Sequence, residues 1–284
     1  MNARANFDSI KYSEDGLGLF RFSNLSSHNN DILHFVTTKK GGFSLAPYDS
    51  FNLAFHVGDN KEDILKNRVK LAQSLQISPK NFTALQQVHG TRVSIINSHD
   101  RGRGAFDIES AINNSDAMLT DQKEICLLIL VADCVPLLLY DRKKKIIAAI
   151  HAGWKGTVGL IAWKTVHKML SVWDCKPQDL ICAIGPSIGP CCYQVGPEVI
   201  ALVKEKFQAH KQLIGSISKS GRGYLNLWEA NRQQLLECHI PEGNIEIAGI
   251  CTNCHSDIFF SSRKSNGLTG RFAAGIMLKR KEIG

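Results

Sequence analysis

The chain has 284 residues, 44% hydrophobic and 21% charged, proportions of a globular enzyme and not of a disordered or fibrous chain. A formal charge of +8 could attract a phosphorylated small molecule or a nucleic acid, but a merely basic surface is the default reading. No arginine-rich tract with interleaved aromatics marks a nucleic-acid face, and no run of about 18 apolar residues marks a membrane span, because Asp133 and Pro136 interrupt the longest candidate.

The opening residues 1–8 carry no apolar core of a secretion signal, so a cytoplasmic location is expected. Nine cysteines, an odd number, argue against a complete disulfide framework and for buried thiols or metal ligands. Residues 32–38 read as a strand running into the basic turn Lys39-Lys40-Gly41-Gly42. A long polar-aromatic loop, residues 44–60, follows, and loops of that length are often functional. Asn60 caps a predicted helix that buries Ile64, Leu65, Val69, Ala72 and Leu75, and Pro79 marks its end. Residues 82–88, 91–96 and 117–120 read as strands, with residues 101–115 a loop. The apolar strand 126–132 comes next, then a hairpin of residues 137–140 and 146–150 around the basic tip Arg142-Lys143-Lys144-Lys145, whose charges are expected to be solvated.

Beyond residue 156 the period changes to about 3.6, with Val158, Ile161, Ala162, Met169, Leu170 and Trp173 on one helical face. Residues 180–184 form a short strand ahead of the rigid loop Gly185-Pro186-Ser187-Ile188-Gly189-Pro190-Cys191-Cys192-Tyr193. Gly196-Pro197 opens a helix. Asn226-Leu227-Trp228-Glu229 resembles a capping box ahead of a helix to Cys238. Residues 245–250, 258–261 and 271–278 close the chain as strands. No linker, regular βαβ repeat, GxGxxG or Walker motif appears, so a single α+β domain over residues 1–284 is expected.

Asp133 and Cys134 are planted inside this apolar pattern, where an unpaired polar group is expensive. His89, in Gln87-Val88-His89-Gly90, and His151, in His151-Ala152-Gly153-Trp154-Lys155-Gly156, are the side chains to satisfy them. Two imidazoles and a thiolate make a catalytic zinc set with a position left for water. The same residues also make a cysteine hydrolase, with Cys134 as nucleophile and a histidine as base, or merely a buried thiol beside hydrogen-bonded histidines. Asp133 then orients a ligand or acts as an acid in the pocket. Cys251-Thr252-Asn253-Cys254-His255 holds a CxxC pair; adjacent Cys191-Cys192 are poor chelate geometry, Cys238-His239 is a candidate to complete a set, and buried thiols are the default there.

Taken together, several stretches resemble the laccase-domain, or multicopper polyphenol oxidoreductase-like, family of purine nucleoside phosphorylases with adenosine deaminase activity. They are Gly41-Gly42-Phe43-Ser44, Ser50-Phe51-Asn52-Leu53 with His56-Val57-Gly58-Asp59, Gln87-Val88-His89-Gly90, Ala132-Asp133-Cys134-Val135-Pro136-Leu137, residues 151–156 and 184–193, Cys251-Thr252, Phe259-Phe260-Ser261 and Gly270-Arg271. The resemblance implies a layered α-β-β-α sandwich and one zinc on His89, Cys134 and His151, with copper as the alternative metal. It implies adenosine, inosine, guanosine or methylthioadenosine and inorganic phosphate as substrates. A monomer or weak homo-oligomer with no nucleic-acid or membrane partner is expected.

On that reading Cys134, Asp133 and His89 are catalytic, Lys39 and Arg271 bind phosphate, and Asn52 with the Gly41-Gly42 backbone orients substrate. Lys39 stands where the family usually has arginine, losing the bidentate fork. Ser262-Arg263-Lys264 replaces the usual Tyr-Arg-Arg, removing one aromatic wall. A copper-dependent polyphenol oxidase ranks lower, because ten histidines include no His-x-His pair.

Overall fold

The computed structural model describes residues 7–14 and 16–280; the opening residues 1–6 read for a secretion signal lie outside them. Fourteen strands occur among the described residues: β1 (Ile10–Tyr12), β2 (Gly18–Phe20), β3 (Ile32–Thr37), β4 (Phe82–Ala84), β5 (Val93–Ile95), β6 (Ala117–Thr120), β7 (Cys126–Val131), β8 (Val135–Asp141), β9 (Ile146–Ala152), β10 (Leu180–Ile184), β11 (Gln194–Val195), β12 (Gly223–Tyr224), β13 (Ile245–Ile247) and β14 (Phe272–Leu278). The helices are α1 (Ser23–Ser26), α2 (Lys61–Ser74), α3 (Trp154–Val158), α4 (Ile161–Trp173), α5 (Pro197–Lys206), α6 (His210–Leu213) and α7 (Leu227–Glu237). None of them is long and apolar enough to cross a membrane.

Two six-stranded sheets dominate, ordered β1-β2-β3-β14-β7-β4 and β13-β10-β8-β9-β6-β5. Strands β7, β8, β9 and β14 are buried at every residue, which is why they read as continuous apolar runs without alternation. One core, with Leu127, Ile129, Val131, Leu138, Tyr140, Ile147 and Ala274, lies between the sheets. A second packs β8 to β10 under α4 and α7 through Leu137, Ile150, Val166, Met169 and Leu235. A third packs the first sheet under α2 through Phe35, Leu128, Leu71 and Ala72. The order helix, sheet, sheet, helix is the layered sandwich expected.

Several local expectations change. In α2 the buried face holds Ile64, Asn67, Arg68, Leu71 and Ala72, while Val69 is exposed. Loop 44–55 dictates this, because its inward carbonyls need donors. Asn67 Nδ2 donates to the carbonyls of Ser50 and Asn52 and to Ser44 Oγ, and Arg68 donates to the carbonyls of Leu53, Gly104 and Ala105. Residues 258–261 are turn and coil, not a strand: Phe259 and Phe260 are buried as anchors of a loop, with Phe259 packed 5.1 Å from the Phe272 ring. A short apolar run carries no period that separates these outcomes. The helix after residue 153 breaks at Leu160, a left-handed residue, into α3 and α4. The basic tip is also less free than expected. Lys145 Nζ pairs with Asp31 at 2.7 Å and Arg142 with Asp179 at 3.4 Å.

His34 of β3 is wholly buried, and its Nε2 accepts the Phe22 N–H at 3.0 Å. Burial and the nearby Arg21 charge push its pKa down to about 3. The unfolded chain therefore takes up a proton near pH 6.5 that the folded chain refuses. His34 costs no stability above that pH, and stability falls as pH drops toward 3 by up to about 1.4 kcal/mol per unit. Urea midpoints measured between pH 7 and 4 should fall, and His34→Gln, which keeps an acceptor for Phe22, should flatten that fall. An unchanged slope in the variant would remove His34 as its source.

Candidate metal centre

The site forms where the chain crosses from one sheet to the other. Strand β7 ends in the first sheet, Ala132-Asp133-Cys134 makes the crossing, and β8 begins in the second. Asp133 takes a left-handed φ of 83° at this bend. Strand β9 pairs antiparallel with β8 so that Ala152 lies opposite Val135 and His151 opposite Pro136, which puts His151 beside Cys134. His89 arrives from beyond β4, which runs parallel to β7. The Gln87 side chain extends that pairing. Its Nε2 donates to the Leu130 carbonyl at 2.8 Å, and its Oε1 accepts the Leu130 N–H at 2.9 Å.

Nitrogen atoms of His89 and His151 and the Cys134 sulfur all lie within 4.8 Å of one another. Cys134 Sγ is 3.8 Å from His89 Nε2, and the two imidazole centroids are 4.8 Å apart. His151 is buried, Cys134 half-buried and His89 exposed, so the cluster opens to solvent on one side. Gly153 is required here: a Cβ on it would lie 2.9 Å from His89 Cδ2 and 3.1 Å from Cys134 Sγ.

Asp116, which carries no motif in the sequence, organises the cluster. It is fully buried, and its Oδ1 accepts His151 Nδ1–H at 2.8 Å and the His89 N–H at 2.9 Å, while Oδ2 accepts the Gly90 N–H at 2.7 Å. One carboxylate thus fixes the left-handed His89 turn (φ 59°) and the tautomer of His151. With Nδ1–H held by Asp116, His151 turns Nε2 toward Cys134: protonated it donates to the thiolate, and deprotonated it offers an ion its lone pair. Burial alone would raise the Cys134 thiol, but the His151 charge and hydrogen bonds from both imidazoles outweigh it and bring the pKa to about 6. Burial alone would lower His151, but the Cys134 and Asp116 charges raise it. Two imidazole nitrogens and a thiolate on a half-open face fit a zinc-type ion with a vacant coordination position.

A cavity of about 600 Å³ opens over the three residues. Its walls include His56, Ile188, Tyr193, Arg263 and Arg271, with Asp133 and Ser262. His56 belongs to a matched stretch but has no role assigned from sequence; burial, then the charges of Arg271 and Arg68, hold its pKa below the usual histidine value. Arg271 reaches the cavity with Nη1 held by the carbonyls of Thr269 and Gly270. Lys39 and Asn52 are not among the lining residues. Asn52 is buried with its amide engaged by Asp59, Ala54 and the Arg271 N–H, and the Lys39 carbonyl accepts the N–H groups of Ser50 and Phe51. The Gly41-Gly42 backbone packs against Gly16 and Ser50. The Asp133 carboxylate is engaged by other loops: Oδ1 accepts Thr252 Oγ1–H and Oδ2 the Arg263 N–H, both at 2.6 Å.

A second group stands apart from this one. The sulfurs of Cys191, Cys192, Cys251 and Cys254 lie within 4.8 Å of one another. Cys238, a candidate to complete a set with Cys251 and Cys254, is a buried core thiol, the default reading for it.

A family model described as multi-copper polyphenol oxidoreductase laccase matches residues 33–279. The chain belongs to that family. A relative in Bacteroides thetaiotaomicron, named purine nucleoside phosphorylase, is 37% identical over 260 residues, covering 91% of this chain and 96% of the relative. A protein of an unknown prokaryotic organism named adenosine deaminase RL5 is 32% identical over 245 residues, 86% of this chain and 93% of its own. The crystal structure of YlmD from Geobacillus stearothermophilus superposes with a TM-score of 0.90 at 33% identity, covering 96% of this chain and 99% of that one.

Proposed function

We propose that this protein is a zinc-dependent phosphorylase of purine nucleosides that also deaminates adenosine. The observation that carries the reading is the His89–Cys134–His151 cluster on the floor of a cavity that also presents Arg271. The names of the Bacteroides relative and of RL5 supply the two reactions. His89, Cys134 and His151 would hold the ion. The chemistry it supplies when bound is Lewis acidity toward the leaving purine and acidification of a water for deamination.

Phosphorolysis also needs an anion held on the sugar side as negative charge moves onto the base. Arg271 is the residue assigned to phosphate, positioned by Asn52, which anchors its backbone N–H at 2.9 Å. Lys39 and Asn52 are read as supports of the Arg271 and loop 50–54 framework. Tyr193, backed by the Arg263 guanidinium 5.1 Å from its ring, offers an aromatic face to the purine although Ser262 has none. Asp133, with both oxygens occupied, is a positioning residue: it ties the crossing that carries Cys134 to the loops of Thr252 and Arg263. A cytoplasmic, monomeric or weakly self-associating enzyme acting on nucleosides and phosphate completes the reading.

Zinc-loaded protein incubated with inosine and phosphate should release hypoxanthine and ribose 1-phosphate, and with adenosine should also release ammonia. No product in either assay would sink the reading. Arg271→Gln should raise KM for phosphate by about 10- to 100-fold, the worth of one or two charge-assisted hydrogen bonds. Deamination, which uses no phosphate, should change far less. Equal losses in both reactions would remove Arg271 from phosphate binding.

A further inference from the structure

The second sulfur cluster has no part in the chemistry described so far. Cys191 and Cys192 sit in the loop after β10, and Cys251 and Cys254 in the loop after β13. Sequence order separates the two pairs by about sixty residues, and adjacent cysteines looked unsuited to a common ion. The fold changes both points. Parallel strands β10 and β13 deliver the loops side by side, and the pairing continues past them through the Ser187–Cys251 bridge. The N–H groups of Cys192 and Tyr193 both reach the Gly189 carbonyl at 3.0 Å, closing a turn over the two cysteines. That turn brings both sulfurs onto Cys254, at 3.6 Å from Cys191 and 3.4 Å from Cys192.

These separations are informative. Four sulfurs at about 2.3 Å from a tetrahedral zinc stand about 3.8 Å apart. A disulfide requires about 2.05 Å, and all nine cysteines are free. The surroundings also suit a thiolate cluster. The Gly189 N–H donates to Cys251 Sγ at 3.2 Å. Arg263 Nη1 donates to the carbonyls of Gln194 and Cys192 at 3.1 and 3.4 Å, bringing a positive charge to the same loop. Cys251 is buried, while Cys191 and Cys254 are exposed, which gives an ion a way in. Thiolates in tetrahedral sets select zinc over harder divalent ions.

We propose that Cys191, Cys192, Cys251 and Cys254 form a second, structural zinc site that clamps the loop after β10 to the loop after β13. Four protein ligands leave no open position, so the ion there is not catalytic. Its place in the fold gives it a task. The clamped loop carries Ile188 and Tyr193, two walls of the cavity, and the partner loop carries Thr252, which holds Asp133. The Ser187 hydroxyl, which accepts Trp228 Nε1–H at 2.7 Å, ties the same loop to α7. Zinc binding would make this wall one rigid unit, because binding free energy at such a site is folding free energy.

The test separates the two sites and reads no activity. Full-length Cys134→Ala, which lacks a ligand of the first centre, is purified under reducing conditions, and its metal is counted by elemental analysis. About one zinc per chain should remain, and adding Cys254→Ser should remove it. Cobalt reconstitution of the wild-type chain and of Cys191→Ser gives an independent reading. The wild type should show sulfur-to-cobalt charge transfer from a tetrathiolate, weakened in Cys191→Ser. Amide exchange over residues 187–194 should rise on loss of this ion. Overturning results are a zinc-free Cys134→Ala chain with all four thiols open to alkylation, a disulfide among the four, or a wild-type cobalt spectrum unchanged by Cys191→Ser.

Discussion

Cys134→Ala should abolish both phosphorolysis and deamination and remove the ion from the first centre. The sulfur stands within 4.8 Å of nitrogens on His89 and His151 and is the one donor of the three that can carry a negative charge. Two imidazoles without it form an incomplete set, and the Lewis acidity they would no longer hold is worth several kcal/mol. A drop of at least about 10³-fold in kcat/KM for both nucleoside reactions is therefore expected. Steady-state assays with inosine plus phosphate and with adenosine check it, beside elemental analysis. The variant should fold, because truncating a half-buried thiol at a strand crossing opens little space. Full activity without metal would replace the metal reading with an ion-free mechanism. Rapid inactivation by thiol alkylation with a trapped acyl-enzyme would favour the cysteine hydrolase.

Asp116→Asn should weaken the first centre although Asp116 is no ligand. The carboxylate accepts from His151 Nδ1, from the His89 N–H and from the Gly90 N–H. An amide offers one acceptor oxygen and turns an NH₂ toward one of these donors, leaving two donors face to face in a buried place. His151 is then free to take the other tautomer, which points an N–H at the ion. Metal affinity should fall about 10- to 100-fold, the usual cost of losing such a partner. The metal-free protein should lose about 3–5 kcal/mol, because breaking a buried pair strands the remaining group. Competition with a chromophoric chelator measures the first quantity and urea unfolding the second. Affinity within twofold of wild type would show that the histidines hold their orientation without Asp116.

The chemistry of the first centre was legible in the sequence because polar residues stood out against an apolar background. Asp133, Cys134 and His151 interrupt or end runs that are otherwise fully buried, and such interruptions demand an explanation. The order of the matched motifs then favoured a ligand set over a nucleophile, which residue types alone did not. Helix starts were legible for the same local reason. Asn60 accepts from the N–H groups of Glu62 and Asp63, and Asn226 accepts from that of Glu229. Asn226 forms only half of the expected box, since Glu229 turns instead to Arg232 at 2.9 Å.

What stayed hidden depended on contacts distant in the chain. Asp116 carries no local mark of its role; only the register of β6 against β9 and the fold of the His89 turn bring its carboxylate to both histidines. The buried face of α2 departs from the apolar period because the donors Asn67 and Arg68 answer carbonyls of another loop. Composition and pattern by themselves determined that apolar strands and capped helices would share an α+β fold, where α2 and α7 begin, and that Asp133, Cys134 and His151 interrupt or end buried runs, because burial and capping act within a few residues. The tertiary structure alone decided that Asp116 ties His89 to His151, that Asp133 faces Thr252 and Arg263, and that two distant cysteine pairs converge, because strand pairing across the chain sets those distances and no local spacing encodes them.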